Sequence, residues 1–177
     1  MYSVQKDGGK SNMETQPIKI KAKIDAQILF SFLLRHTYTS LSGIVGLIIS
    51  AVAFVFFFIS LNGSNDFQKV ILLLAALLFT VINPYMLYMK AKAQAVTNPL
   101  YKETLVYTLD DAGVHLTVNG KEESLEWSMI EKWRKTRKVC ILYTSKIHAI
   151  LLPYGAMNGR REQVESLIKE KLNQSMI

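Results

Sequence analysis

In the stretch PIKIKAKI, Ile18, Ile20, Ala22 and Ile24 alternate with Lys19, Lys21 and Lys23, which is the two-residue period of a half-buried strand. A lone strand is not stable in water, so it needs a sheet elsewhere, and the candidate sheet lies far downstream. From Asp25 to His36 the period lengthens. Asp25 stands at an N-cap position and Ile28, Leu29, Phe32 and Leu33 recur at helical spacing, predicting a short amphipathic helix that runs into the next segment. Between His36 and Asp66 there is no Asp, Glu, Lys or Arg, and Leu41 to Leu61 is 21 residues of almost unbroken apolar character. A helix of that length crosses a hydrocarbon core of about 30 Å. Val70 to Met89 is a second run, 20 residues long, bounded by Lys69 and Lys90.

Two alternatives fail. A cleavable signal peptide would not carry 36 residues before its apolar run, nor lack a small-residue cleavage site after it. As buried core helices, the two runs would need more apolar chain around them than the rest supplies. Beyond Met89 helix continues to about Asn98 and Pro99. Alternation then returns at Leu105, Tyr107 and Leu109, and at Val114, Leu116 and Val118; Asn119-Gly120 is a strong hairpin signal. Further strands are expected through Leu125 to Trp127, VCILYT and HAILLPY, whereas SMIEKWRKT fits either a helical turn or a strand. Val164, Leu167, Ile168 and Leu172 form one face of a terminal helix.

The expected fold is a membrane α-helical hairpin plus an α+β cytoplasmic module: an antiparallel sheet with a C-terminal helix, completed by the N-terminal strand. Its divisions are a disordered tail at 1–16, strand and amphipathic helix at 17–36, a transmembrane helix at 37–61, an extracytoplasmic turn at 62–69, a second transmembrane helix at 70–89, and the module at 100–177. Lys19, Lys21, Lys23 and Arg35 precede the first run and Lys90, Lys92 and Lys102 follow the second, against Lys69 in the connection. That bias predicts both termini in the cytoplasm of a multi-pass protein of the cell (inner) membrane. Tyr38, Phe67, Tyr85 and Tyr88 are placed to anchor at the interfaces.

The order of two spans and a strand-rich module, with LEWSMIEKW, ILYTS and AILLPY, resembles the YcxB-like family of bacterial membrane proteins. The resemblance rests on Trp127, Ile130, Ile141 to Tyr143, Ser145 and Pro153, within a stretch from about Thr104 to Leu172. It implies a pleckstrin-homology-like sheet with a C-terminal helix and a membrane address, and no established activity.

Charge and chemistry narrow the function. Net charge is +7. The part after Met89 has 14 basic and 10 acidic residues, with no recognition helix or stacking platform, so nucleic acid is not an expected partner. His36, His115, His148 and the single Cys140 sit on separate elements without metal-ligand spacing, and one cysteine allows no internal disulfide. Gly113 to Glu122 is a hairpin, since its glycine-lysine pair lacks phosphate-loop spacing. Neither Asp110-Asp111 nor Glu122-Glu123 places two carboxylates on one strand face. The chain is expected to be no enzyme and to use no cofactor or metal.

Two features remain. Ser42, Gly46 and Ser50 recur every four residues as a small-residue stripe for a close helix, most simply the second span, alternatively a second copy in a homo-oligomer. Lys132, Arg134, Lys135, Arg137 and Lys138 put five charges into seven residues around Trp133. As a strand, Lys132 and Arg134 share one face and Trp133 and Lys135 the other. The cluster is either a solvated hairpin tip or a surface for anionic membrane lipid or an unknown protein partner. The expected role is a binding or scaffold module at the inner leaflet; the alternative is an accessory subunit of a membrane transport or signalling complex.

Overall fold

The computed structural model describes residues 16–63, 65–146 and 148–175. The tail expected at 1–16 lies, apart from Gln16, outside the described residues. Strand β1 (Ile18–Ala22) buries Ile18, Ile20 and Ala22 and leaves Lys19 and Lys21 exposed. It pairs antiparallel with β2 (Leu105–Leu109), Ile20 opposite Tyr107. The segment before the two apolar helices thus closes onto the segment after them. The sheet continues through β3 (Gly113–Val118) and β4 (Lys121–Glu126) in the order β1-β2-β3-β4. Asn119 and Gly120, with φ of 49° and 76°, form the left-handed pair of a two-residue hairpin.

Where one antiparallel sheet is expected, there are two. After β4 a 3-10 turn at Trp127–Met129 leads into β5 (Lys132–Lys135), and β5-β6-β7 form a second antiparallel sheet with β6 at Val139–Tyr143 and β7 at Ala149–Pro153. Trp127 anchors the corner: its ring is buried and its indole N–H donates to the Asp110 carbonyl at 2.9 Å. Every residue of β6 is buried, because α1 (Ala26–Thr39) lies against one face and α6 (Arg161–Ser175) covers the other. From α6, Val164, Leu167, Ile168 and Leu172 enter the core.

Helix α1 begins as the sequence predicts, with the Asp25 carboxylate accepting from the Ile28 N–H at 2.8 Å. It does not run into the next helix. Ser40 is extended, donates to the Thr37 carbonyl at 2.6 Å and accepts from the Gly43 N–H at 3.2 Å. One hydroxyl thereby caps the end of α1 and the start of α2 (Leu41–Ser60), and residues 37–39 belong to α1 rather than to the apolar helix. The corner is tight: a Cβ on Gly43 would lie 1.9 Å from the Thr37 oxygen.

Helix α3 (Asp66–Leu77), a π-helical turn (Leu78–Ile82) and α4 (Asn83–Thr97) form one continuous helical segment. Its 32 residues reach about 48 Å, more than a bilayer core requires. The excess enters the module, where Ala91 is fully buried and Tyr88 meets Phe30 edge-on with centroids 5.7 Å apart. Both segments are long and apolar enough to cross a membrane. Only 22% of the most apolar stretch of the first, and 6% of that of the second, is buried, so those stretches do not form the core of the module.

Of the small-residue stripe, Gly46 and Ser50 face the second segment, and Gly43 takes the place expected for Ser42. Gly43, Gly46, Ser50 and Ala53 are buried, whereas Ser42 is exposed and contacts Ser40. Alternating steps of three and four keep to one helix face, while strict four-residue steps drift about 40° each. Gly46 faces the Phe79 ring. Ser50 donates to the Ala75 carbonyl at 2.9 Å and accepts from the Phe79 N–H at 3.3 Å.

The helical segment runs on through Asn83-Pro84. The Asn83 N–H reaches back to the Leu78 carbonyl, which frees the Phe79 carbonyl; the Tyr38 hydroxyl donates to it and itself accepts from the Asn83 amide at 3.4 Å. Tyr38, an expected interfacial anchor, therefore bonds inward and ties α1 to the apolar hairpin.

Candidate functional site

The basic stretch is a strand and a turn. Register pairs Lys132 with Tyr143, Trp133 with Leu142, Arg134 with Ile141 and Lys135 with Cys140. This alternation divides the five charges. Thr136 closes the turn: its N–H donates to the Val139 carbonyl at 2.9 Å and its hydroxyl oxygen accepts from the N–H groups of Lys138 and Val139 at 3.2 and 3.0 Å. Arg137 and Lys138 stand exposed at the tip.

Lys135 is paired within the fold. Its ammonium meets Glu165 at 2.7 Å and lies 5.0 Å from the Trp133 ring centroid. Arg161 reaches the same carboxylate at 2.9 Å and covers the Tyr154 ring at 3.9 Å. Although burial opposes ionisation, hydrogen bonds from Lys135 and Arg161 hold the Glu165 carboxyl down to about 2. Lys138 bonds Gln27 at the start of α1. Cys140, inside β6, has its thiol pushed up to about 12, chiefly by burial.

The other face of β5 gathers groups that the sequence keeps far apart. Lys132 lies 5.0 Å from the Tyr143 ring centroid. From α1, Phe32 and His36 approach the same ring, at 6.2 and 6.1 Å between centroids. Burial raises the Tyr143 phenol while the nearby charges of Arg35 and Arg134 oppose that shift. Arg35 adjoins His36 in the last turns of α1, and Lys132 and Arg134 share one face of β5, so α1 and β5 bring three cations toward the surroundings of this ring. In the sequence the signal of Arg35 is a last cation before the first apolar run, which speaks to orientation and gives no hint of this approach.

Two hollows flank the turn. One, of about 700 Å³, lies between α1, the first turns of α2, the π turn and residues 135–137. The other, of about 510 Å³, has Lys21, Lys23, Arg137 and Lys138 on its walls.

A separate polar chain crosses β3 and β4. His115 Nδ1 lies 2.8 Å from the Ser124 hydroxyl, and Nε2 is 3.1 Å from the Asp110 carboxylate. Burial works against Asp110 ionising, but the N–H groups of Gly113 and Ala112 and the His115 ring hold its carboxyl below the usual range. His115 is thus partnered where the strand alternation suggests a water-facing side chain. The cross-strand pair, His115 opposite Ser124, ties β3 to β4. Among the described residues no group of three or more His, Cys, Asp or Glu is placed to hold a metal ion.

The sequence model for YcxB-like protein matches residues 109–169. The match begins at the end of β2 and ends within α6, leaving β1, α1 and both apolar helices outside it. No curated protein matches the chain.

Proposed function

Taking the YcxB-like segment at 109–169 as premise, we propose that the chain is a two-span membrane protein whose cytoplasmic module binds anionic lipid headgroups at the inner leaflet. The observation that carries this reading is the cationic face around Tyr143. Arg35 and His36 lie within the last turns of α1, just before Ser40 starts the first apolar helix, and Lys132 of β5 lies over the Tyr143 ring that His36 also approaches, with Arg134 on the same strand face.

Several features support the placement. Ile48, Ile49, Val55, Phe56 and Ile59 of α2 and Val70, Leu74 and Val81 of the second segment are exposed, an apolar surface too large to leave in water. Pairing of β1 with β2 supports both ends of the hairpin on one side, and the flanking Lys and Arg favour the cytoplasmic side. Two antiparallel sheets and a terminal helix support the pleckstrin-homology-like reading of the module. Gly46 and Ser50 meet Phe79 and Ala75 of the same chain, which favours a self-contained hairpin over an accessory subunit.

The test uses the full-length protein in nanodiscs of phosphatidylcholine with or without phosphatidylglycerol, followed by hydrogen exchange of residues 130–143. Strand β5 is a sheet edge, so its outward N–H groups report contact directly. Slower exchange in the anionic disc is expected, and Lys132→Gln with Arg134→Gln should abolish the difference. Equal exchange in both discs would refute the reading.

A further inference from the structure

The larger hollow has walls of two chemistries. Leu34, Leu47, Phe79 and Pro84 supply apolar lining, and Arg35 and Arg137 line it as well. We propose that this groove holds a single anionic glycerophospholipid of the adjoining leaflet, its phosphate between the two guanidiniums and its first methylenes along Leu47 and Phe79. The proposal rests on the headgroup-binding reading above and gives it one defined site.

Charge decides the ligand class. No Asp or Glu lines the groove, and neither Arg35 nor Arg137 has an ion-pair partner among the described residues. Lys135 also lines it, but its ammonium is held by Glu165. The Thr39, Thr80 and Thr136 hydroxyls donate to the carbonyls of Arg35, Ala76 and Val139 at 2.7, 2.8 and 3.2 Å. The unpaired strong donors are therefore two planar guanidiniums, which suit phosphate oxygens. A choline headgroup would bring its cation to a lining that offers no carboxylate.

Shape and depth decide that the phosphate carries a chain. A volume of about 700 Å³ exceeds what a phosphate needs and matches a pocket for a drug-sized molecule. Leu47 lies seven residues beyond Ser40, roughly 10 Å along α2. The lining thus extends from Arg35 and Arg137, outside the apolar helix, to Leu47 within it. Wall rigidity comes from the Tyr38 bond to the Phe79 carbonyl and the Asn83 amide behind it.

The experiment is native mass spectrometry of the full-length protein in mild detergent with added phosphatidylglycerol or phosphatidylcholine. One phosphatidylglycerol should be retained and phosphatidylcholine lost. A cation near an anionic lipid surface contributes roughly fivefold in affinity, so Arg35→Gln with Arg137→Gln should weaken retention about 25-fold, and the two Arg→Lys changes should restore most of it. Leu47→Trp crowds the apolar lining without altering charge and should also expel the lipid, with melting curves confirming that each variant folds. Equal retention of the two lipids, unchanged retention in Leu47→Trp, or displacement by excess inorganic phosphate would overturn the groove. Were those results to coincide with intact anionic-lipid protection of β5, the groove alone would fall. Loss of that protection with lipid retention intact would sink the surface reading alone.

Discussion

Glu165→Gln removes the carboxylate that fastens β5 to α6. In the folded chain the carboxyl sits at about 2 against an ordinary 4.5, and that difference corresponds to at most about 3 kcal/mol at roughly 1.4 kcal/mol per pH unit. Glu165 itself is 16% exposed, but its partners Lys135 and Arg161 are 48% and 50% exposed, so solvent screening reduces the expected loss to about 1–2 kcal/mol. A depressed carboxyl stabilises the fold fully above its unfolded value and ceases to do so as pH falls through its folded one. The gap between wild type and Glu165→Gln should therefore be largest near neutral pH and close between about 4.5 and 2. Urea unfolding of the detergent-solubilised protein, followed by Trp127 and Trp133 fluorescence, measures it. A gap that stays constant down to pH 2 would show that the charge is not its source. The same variant frees the Lys135 ammonium, and any gain in binding to anionic lipid would expose how far Glu165 masks it.

Other outcomes follow from particular contacts. Gly46→Ala drives a Cβ to within 2.2 Å of the Phe79 ring and should cost about 1–3 kcal/mol of helix-hairpin stability, recovered in part by Phe79→Leu. Gly43→Ala meets the Thr37 carbonyl, a backbone atom, and should cost more, with no such rescue; detergent melting of the three variants ranks them. Tyr38→Phe leaves the Phe79 carbonyl without its hydroxyl donor and should lower stability by about 1 kcal/mol, an effect that a double-mutant cycle with Asn83→Ala should find coupled. Cys140, buried and with its thiol at about 12, should resist iodoacetamide in the folded protein and react once denatured. Rapid labelling of folded protein would refute that burial.

Periodicity made the elements legible because it is a local property. The alternation of Ile18 to Ile24, the Asp25 cap, the Asn119-Gly120 hairpin and the apolar face of α6 all appear where the spacing puts them. Even the long-range pairing of β1 was implied, since a lone amphipathic strand needs a sheet. The break at Ser40 was not legible, because Ser40 stops a helix there by capping both ends of a corner that also requires Gly43. The shift of the stripe from Ser42 to Gly43 depended on which helix face meets Phe79.

The candidate site was the least legible part. Sequence determined that five cations lie together around Trp133, but strand alternation then separated them: Lys135 went to Glu165, Lys132 to the Tyr143 ring, and Arg134 to the same face as Lys132. Arg35 was brought toward that ring only because α1 packs across β6. A local period can state which residues share a face, but which faces meet depends on the docking of helices and sheets distant in sequence, and that was for the tertiary structure alone to decide.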